Sequence, residues 1–317
     1  METVVCPISG WQPLNVSELW RHREVLWLLT LRDIKVRYKQ TILGVVWTVL
    51  QPTMLMLVMT IFFSRMASPS ATGLPMPIFL FSGLLPWLFF ASATSKASNS
   101  VVNSEAIVKK VYVPRLVFPL AAVFSSLIDF IIAFSVLIAL MLFYRIAPTW
   151  GMLMSPVVVV LIVLLAVGAG TLLGALNVHY RDFRHAVQFL LQIGLFATPT
   201  IYSDFSVAAP AGDREITATV QQSADVAGRQ RAVLSEEGPE AGTPEQRRDV
   251  RRSAMGKLRF WAQLNPMTGL ITFFRAATLG RPLPWDVLLI PTATVVVLFV
   301  VGCFYFRRME DTFADVL

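Results

Sequence analysis

An all-α polytopic membrane protein is the fold class that this 317-residue chain predicts, and three observations carry it. Hydrophobic residues make up 55% and charged residues 15%, and several apolar runs reach the ~20 residues needed to cross a bilayer. At Arg32 to Pro52, RDIKVRYKQTILGVVWTVLQP, a basic, aromatic-bearing segment turns without a break into such a run. Lys and Arg concentrated beside a span mark its cytoplasmic side, so this junction orients every later segment.

Residues 17 to 39 read as a helix on the cytoplasmic membrane face, with Trp20, Trp27, Leu31, Ile34 and Tyr38 on one stripe. Val25, Leu29 and Val36 fall on the far side, which predicts a helix sandwiched between lipid and protein; a simple lipid anchor is the alternative. Six spans follow, near 42–63, 76–97, 117–143, 152–177, 184–202 and 286–306, leaving both termini cytoplasmic. Short interior segments carry fourteen Lys or Arg residues and short exterior ones only Arg65 and Arg145, the expected orientation bias. Residues 1–40 thus form a cytoplasmic N-terminus with an interface helix, and 41–317 a six-span domain with an exterior insertion at 203–257.

Between the second and third spans, Ser104 is placed to cap a short helix from Glu105 to about Val111, with Lys109 and Lys110 at its end and Pro114 stopping it. A charged helix on the interior face predicts a docking partner; a solvated connection held at the lipid surface by its lysines is the bland alternative. Asp129 falls near the middle of the third span, where a carboxylate costs ~2.5 to 3.5 kcal/mol on insertion scales and must face protein or water. Ser125 and Ser126 are its expected hydrogen-bond partners, and a structural role is preferred to proton transfer because no second intramembrane acid or histidine continues a relay. The fourth span carries Gly168, Gly170 and Gly174, small residues that allow close helix packing within one subunit.

After the fifth span the chain breaks at Pro199, and Asn265, Pro266 and Gly280 punctuate an apolar helix too short to cross, so a re-entrant hairpin is expected. Residues 203–257 hold nine acidic and eight basic residues and little apolar content. Thr243, Pro244 and Gln246 form a helix start there, which predicts an exterior flap, with a tether as the alternative.

Several classes are excluded. The +7 net charge lies beside apolar runs, where lipid accounts for it, so no nucleic-acid partner is expected. Cys6 and Cys303 show no metal-ligand spacing and are expected to be neither bridged nor catalytic. Residues 1 to 15 lack a cleavable signal pattern. No G-x-x-x-x-G-K-[ST] loop occurs, and His22, His179 and His185 do not complete a catalytic or metal constellation. The chain is therefore expected to be no enzyme and to bind no metal or cofactor.

The basic interface helix followed by LGVVWTVLQP, GLLPW, KKVYVPRL, NVHYRDF, ATPTIY and LNPMTGLI, in that order, resembles the type-2 ABC permeases that export polysaccharides and polyol phosphates, above all the permease subunits for O-antigen and teichoic acid. That resemblance implies two permease copies with two ATPase subunits in the bacterial inner membrane. ATP and magnesium would sit on the ATPase, and a lipid-linked glycan would be the cargo. It also implies a coupling helix at Ser104, Glu105, Lys109, Lys110, Tyr112, Pro114 and Arg115, and outer gate helices bearing Pro199, Tyr202, Trp261, Asn265 and Pro266. Arg37, Tyr38, Lys39 and Trp47 are the inner-mouth and conduit candidates, with Gln51, Gln188 and Gln192 lining or bracing a path between two copies. The 203–257 insertion is longer than the family's usual link. A small-molecule ABC exporter of the same fold, or more distantly a secondary transporter, are the competing readings.

Overall fold

The computed structural model describes residues 16–39, 44–64, 74–110, 113–180, 182–198, 265–310 and 313, and within them it contains helices and no strand. Pro199, Tyr202, Trp261, Tyr112 and the 203–257 insertion lie outside the described residues. Helices α1 (Val16–Arg21) and α2 (Arg23–Lys39) are nearly continuous through His22, whose backbone N–H still reaches the Glu18 carbonyl. The membrane helices are α3 (Gly44–Ser64), α4 (Met76–Asn103), α6 (Val117–Phe143), α7 (Ser155–His179, preceded by a 3-10 turn at Trp150–Met154) and α10 (Trp285–Met309). These five stretches are long and apolar enough to cross a bilayer. Between α4 and α6 lies the one-turn α5 (Glu105–Val108); α8 (Phe183–Ala197) and α9 (Pro266–Thr278) are shorter.

Helix α4 is the centre of the bundle, with α3, α6, α7, α8 and α9 packed around it. It runs six residues beyond the expected end at 97. Its polar last turns stay helical because Ser98 and Ser100 return their hydroxyls to Ser95 and Ala97 carbonyls, and Asn99 is held by Asn177 of α7 at 3.0 Å. Pairing these amides across two helices removes the cost of burying them.

Small residues set the closest approaches. Gly168 of α7 lies against the backbone at Phe299 of α10, where an added Cβ would come within 2.6 Å of the Phe299 Cα, and a Cβ on Gly302 would run into the Gly168 carbonyl. Gly170 and Gly174 sit against Ala97 and Ser98 of α4. All three glycines of α7 therefore serve packing inside the chain, as their spacing predicted.

Helix α9 begins as its sequence dictates: the Asn265 side chain accepts the Met267 N–H at 3.1 Å, Pro266 takes the first position, and Asn265 also donates to Thr198 at 2.9 Å. It ends at Gly280, whose φ of 69° is the left-handed conformation that glycine adopts freely. Nearly all of its residues are buried, and its 13 residues extend about 20 Å, short of the ~30 Å hydrocarbon layer.

The two ends of the bundle differ in composition. At one, the basic end, Leu29 of α2, Val101 of α4, Leu116 to Phe118, Ala175 and Val178 of α7, and Phe306 and Phe313 share one apolar cluster. At the other, Gly280 faces Thr149 and Gly151 faces Ala277. Helix α2 packs along α6, with Leu29 and Thr30 buried while Trp20 and Trp27 are 70% and 60% exposed. Val25 and Leu29 thus meet protein as expected, but the two faces are not kept apart: Val36, expected on the same side, is exposed, whereas Tyr38, on the tryptophan stripe, bonds Asp129 of α6.

Candidate functional site

The region where α2, α3, α4 and α6 converge holds a cluster of charge that periodicity alone does not reveal. Arg37 of α2 and Lys96 of α4 both pair with the Asp129 carboxylate of α6, Lys96 at 3.0 Å, and the Tyr38 hydroxyl donates to its other oxygen. The Asp129 side chain is only 19% exposed, so two cations and a phenol supply what a carboxylate withdrawn from water needs. The expected partners were different. Ser125 and Ser126 both return their hydroxyls to the Ala122 carbonyl at 2.9 and 3.0 Å and leave Asp129 to the cations. A hydroxyl one turn from its own helix carbonyl is satisfied locally, and a cation gains more from the carboxylate than a hydroxyl does. Burial, and then the bond to Asp129, push the Tyr38 phenol up from its ordinary value, so Tyr38 remains a neutral donor.

This cluster separates two cavities. One, of about 530 Å³, is lined by Trp47, Gln51 and Pro52 of α3, by Phe89 and Lys96 of α4, and by Phe130 of α6 among others. The other, of about 430 Å³, lies towards the basic end and is bounded by Arg32, Val36, Asn103, Ser104 and Phe118. Arg37 and Lys96 are the two residues common to both walls. Above the charges, Phe89, Phe130, Phe134 and Phe274 form a chain of aromatic contacts with centroids 5.1 to 6.2 Å apart. Two cations beside Phe89 and Phe130 in one cavity wall suit a cargo with an anionic head and a less polar body.

Of the inner-mouth and conduit candidates, Arg37, Tyr38, Trp47 and Gln51 meet at this site. Lys39 is exposed and stands apart from the cavity lining, and Gln188 and Gln192 are exposed on α8. Lys96, Phe89 and Phe130 were missed as site residues. A lysine embedded among Ser92, Ser95 and Ser98 in an otherwise apolar helix was the available signal for Lys96.

A second site occupies the basic end. Helix α5 is shorter than the expected Glu105 to Val111, ending at Val108 with Lys109 and Lys110 in the turn after it. Ser104 does not cap with its side chain; its carbonyl accepts from Ile107 and Val108. Ser104 is buried, whereas Lys109 and Lys110 are exposed and Lys109 pairs with Glu105 at 2.6 Å. Beyond Pro114, the Arg115 backbone N–H donates to Glu310 at 2.9 Å and its guanidinium lies over Phe313 at 5.9 Å. Burial pushes the Glu310 carboxyl up, against the pull of the Arg115 N–H. Arg307 of α10 meets Glu18 of α1 at 3.3 Å, so α1, the Arg115 turn and the end of α10 are joined by polar contacts. Asn265 and Pro266 start α9 as described above. No group of His, Cys, Asp and Glu suited to a metal occurs among the described residues.

Comparison with known proteins matches residues 24–207 to the ABC-2 type transporter family. The chain is 33% identical over 187 residues to the O-antigen export system permease protein RfbA of Myxococcus xanthus, an alignment covering 59% of this chain and 71% of that protein. It is 28% identical over 187 residues to the protein of the same name from Klebsiella pneumoniae, covering 57% and 69%. To the polysialic acid transport protein KpsM of Escherichia coli it is 23% identical over 178 residues, covering 52% and 64%.

Proposed function

Because the chain belongs to the ABC-2 type transporter family, we propose that it is the membrane-spanning permease subunit of an ATP-driven polysaccharide exporter in the bacterial inner membrane. Its cargo in this reading is a lipid-linked glycan of the O-antigen or capsular class; the names of its relatives specify O-antigen and polysialic acid. One observation carries the assignment: the cavity lined by Arg37, Lys96, Phe89 and Phe130 falls entirely within the stretch that matches the family.

The chain does no chemistry of its own here. ATP and magnesium belong to a separate ATPase subunit, present in two copies, and two permease copies form the conduit between them. The basic end is the cytoplasmic end, with both termini on that side, in keeping with the concentration of Lys and Arg there. Exposed Lys109 and Lys110, on a turn tied through Arg115 to the end of α10, form the ATPase-facing surface. Arg37 and Lys96 would hold the phosphate head of the cargo, and Trp47, Phe89 and Phe130 would give sugar rings an apolar face. Gln188 and Gln192 fall on exposed α8, where a second copy would meet them. Helix α8 would complete a sixth span with residues beyond Thr198, and α9 would be the inner limb of an outer gate hairpin that includes Pro199, Tyr202 and Trp261.

Inactivating the chain tests this reading. Surface polysaccharide should disappear while its lipid-linked precursor accumulates inside the cell. Unchanged surface polysaccharide would refute it, and vanadate-insensitive export would point instead to a transporter without an ATPase.

A further inference from the structure

Asp129 sits where an incoming anion would have to sit. It is held by Arg37 and by Lys96, and its second oxygen takes the Tyr38 hydroxyl. The two cations come from different helices, α2 and α4, and the carboxylate from a third, α6. These are the residues that both cavities share or that bridge their common wall: Arg37 and Lys96 line both, and Asp129 lines the aromatic one beside Ser126. Asp33, which pairs with Arg32 at 2.9 Å, is a second carboxylate in the wall of the other cavity, while Asp129 is the one bonded directly to Arg37 and Lys96.

We infer that Asp129 is a built-in stand-in for the cargo's anionic head: it fills the Arg37–Lys96 site, pins α2 against α4 and α6, and so closes the passage between the two cavities until a multivalent phosphate takes its place. The inference rests on the permease reading for the identity of that cargo. Its physical basis is competition. A carboxylate carries one negative charge, and a diphosphate carries two or three with more acceptor oxygens, enough to engage both cations at once. A neutral or monoanionic amphiphile has no such advantage and leaves the latch shut. Asp129 is therefore a specificity-determining residue that sets a charge threshold for cargo, and Tyr38, which touches Asp129 and also lies 3.4 Å from Thr48 of α3, positions it.

The test measures binding of inorganic pyrophosphate to the full chain in phosphatidylcholine nanodiscs. Asp129→Asn should tighten binding about tenfold, because an unlatched site no longer spends part of its population closed. Tyr38→Phe should tighten it less, in the same direction. Arg37→Gln should weaken binding and cancel the gain when combined with Asp129→Asn. If Asp129→Asn leaves binding unchanged or weakens it, or if its gain survives Arg37→Gln, the inference fails. Should Asp129→Asn not insert, Tyr38→Phe decides, since it loosens the latch without removing a charge: tightening supports the inference and no tightening overturns it.

A second arm separates the sources of the phosphate. Farnesyl diphosphate doped into the nanodisc should displace inorganic pyrophosphate, and farnesyl monophosphate should not. Displacement by neither lipid would mean that the site takes only free phosphate and would overturn the latch as a device for lipid-linked cargo. None of these readouts uses transport. Tightening in Asp129→Asn together with unchanged surface polysaccharide on inactivation would leave the latch standing and remove the export reading; the reverse pair of results would do the opposite.

Discussion

Helices α3 and α7 are both long, apolar and able to cross a bilayer, yet the fold uses them in opposite ways. Of the most apolar window of α3, 11% is buried, against 50% for α7. Small residues make the difference. Gly168, Gly170 and Gly174 let α7 approach the backbones of α10 and α4 until main chain meets main chain, whereas α3 presents Trp47, Gln51 and Pro52 to a cavity and leaves Val46, Val58, Ile61 and Phe62 exposed. In a bilayer, packing and not water expulsion holds helices together. It follows that α4, α7 and α10 form a frame, and α3 is a wall fastened to it by fewer contacts.

Mutations sort by which side of this contrast they strike. The largest effect is expected from Gly302→Val, whose side chain has nowhere to go but into the Gly168 carbonyl. Overpacking of this kind costs about 1 to 3 kcal/mol or more, and the measurement is folded protein recovered from membranes together with its thermal unfolding. A normal yield and midpoint would show that the frame is not tightly packed. Next comes reversal of Lys109 and Lys110 to Glu, which should abolish export yet leave insertion and unfolding unchanged, because both lysines are exposed. Crosslinks reaching an ATPase from residues 177 to 185 and never from Ser104 to Arg115 would move the contact elsewhere. Trp47→Ala should lower export severalfold with little change in unfolding, since the indole is 59% exposed in this chain. If it destabilises the protein as Gly302→Val does, α3 belongs to the frame.

The smallest effect is expected at Glu310. Its carboxyl is raised by burial, so its folded value lies above its unfolded one. The favourable contribution of the protonated form is complete below the unfolded value and is lost as pH rises through the folded value. Glu310→Gln keeps an acceptor for Arg115 and should flatten that pH dependence while moving stability little at acid pH. An unchanged slope would place the titration on another group.

Much of this was legible in the chain. The spans at 117–143 and 286–306, the Asn265–Pro266 start and Gly280 stop of α9, and the packing role of the α7 glycines follow from local rules of length, capping and size, and the structure has them within a few residues. What sequence hid was partnership across helices. Asp129 was legible as a residue needing partners, but hydroxyls one turn away looked nearer than Arg37, Tyr38 and Lys96, which lie 92, 91 and 33 positions away. The expected span ended near 97 where the polar residues begin, and the contact from Asn177 to Asn99, 78 residues away, is what lets those residues continue α4 inside the bundle. Helix α5 starts at Glu105 as expected but ends at Val108, and the cap read from sequence fails separately, because Ser104 is buried and makes no side-chain cap bond.

In the proposed exporter, cargo passes along the wall formed by α3 and not along the frame. A photo-crosslinking phenylalanine placed at Trp47, on the cavity, and separately at Val160, exposed on α7, tests it in cells making surface polysaccharide. Glycan-lipid adducts are expected at position 47, dependent on a working ATPase, and none at 160; adducts at 160 with none at 47 would contradict passage along α3.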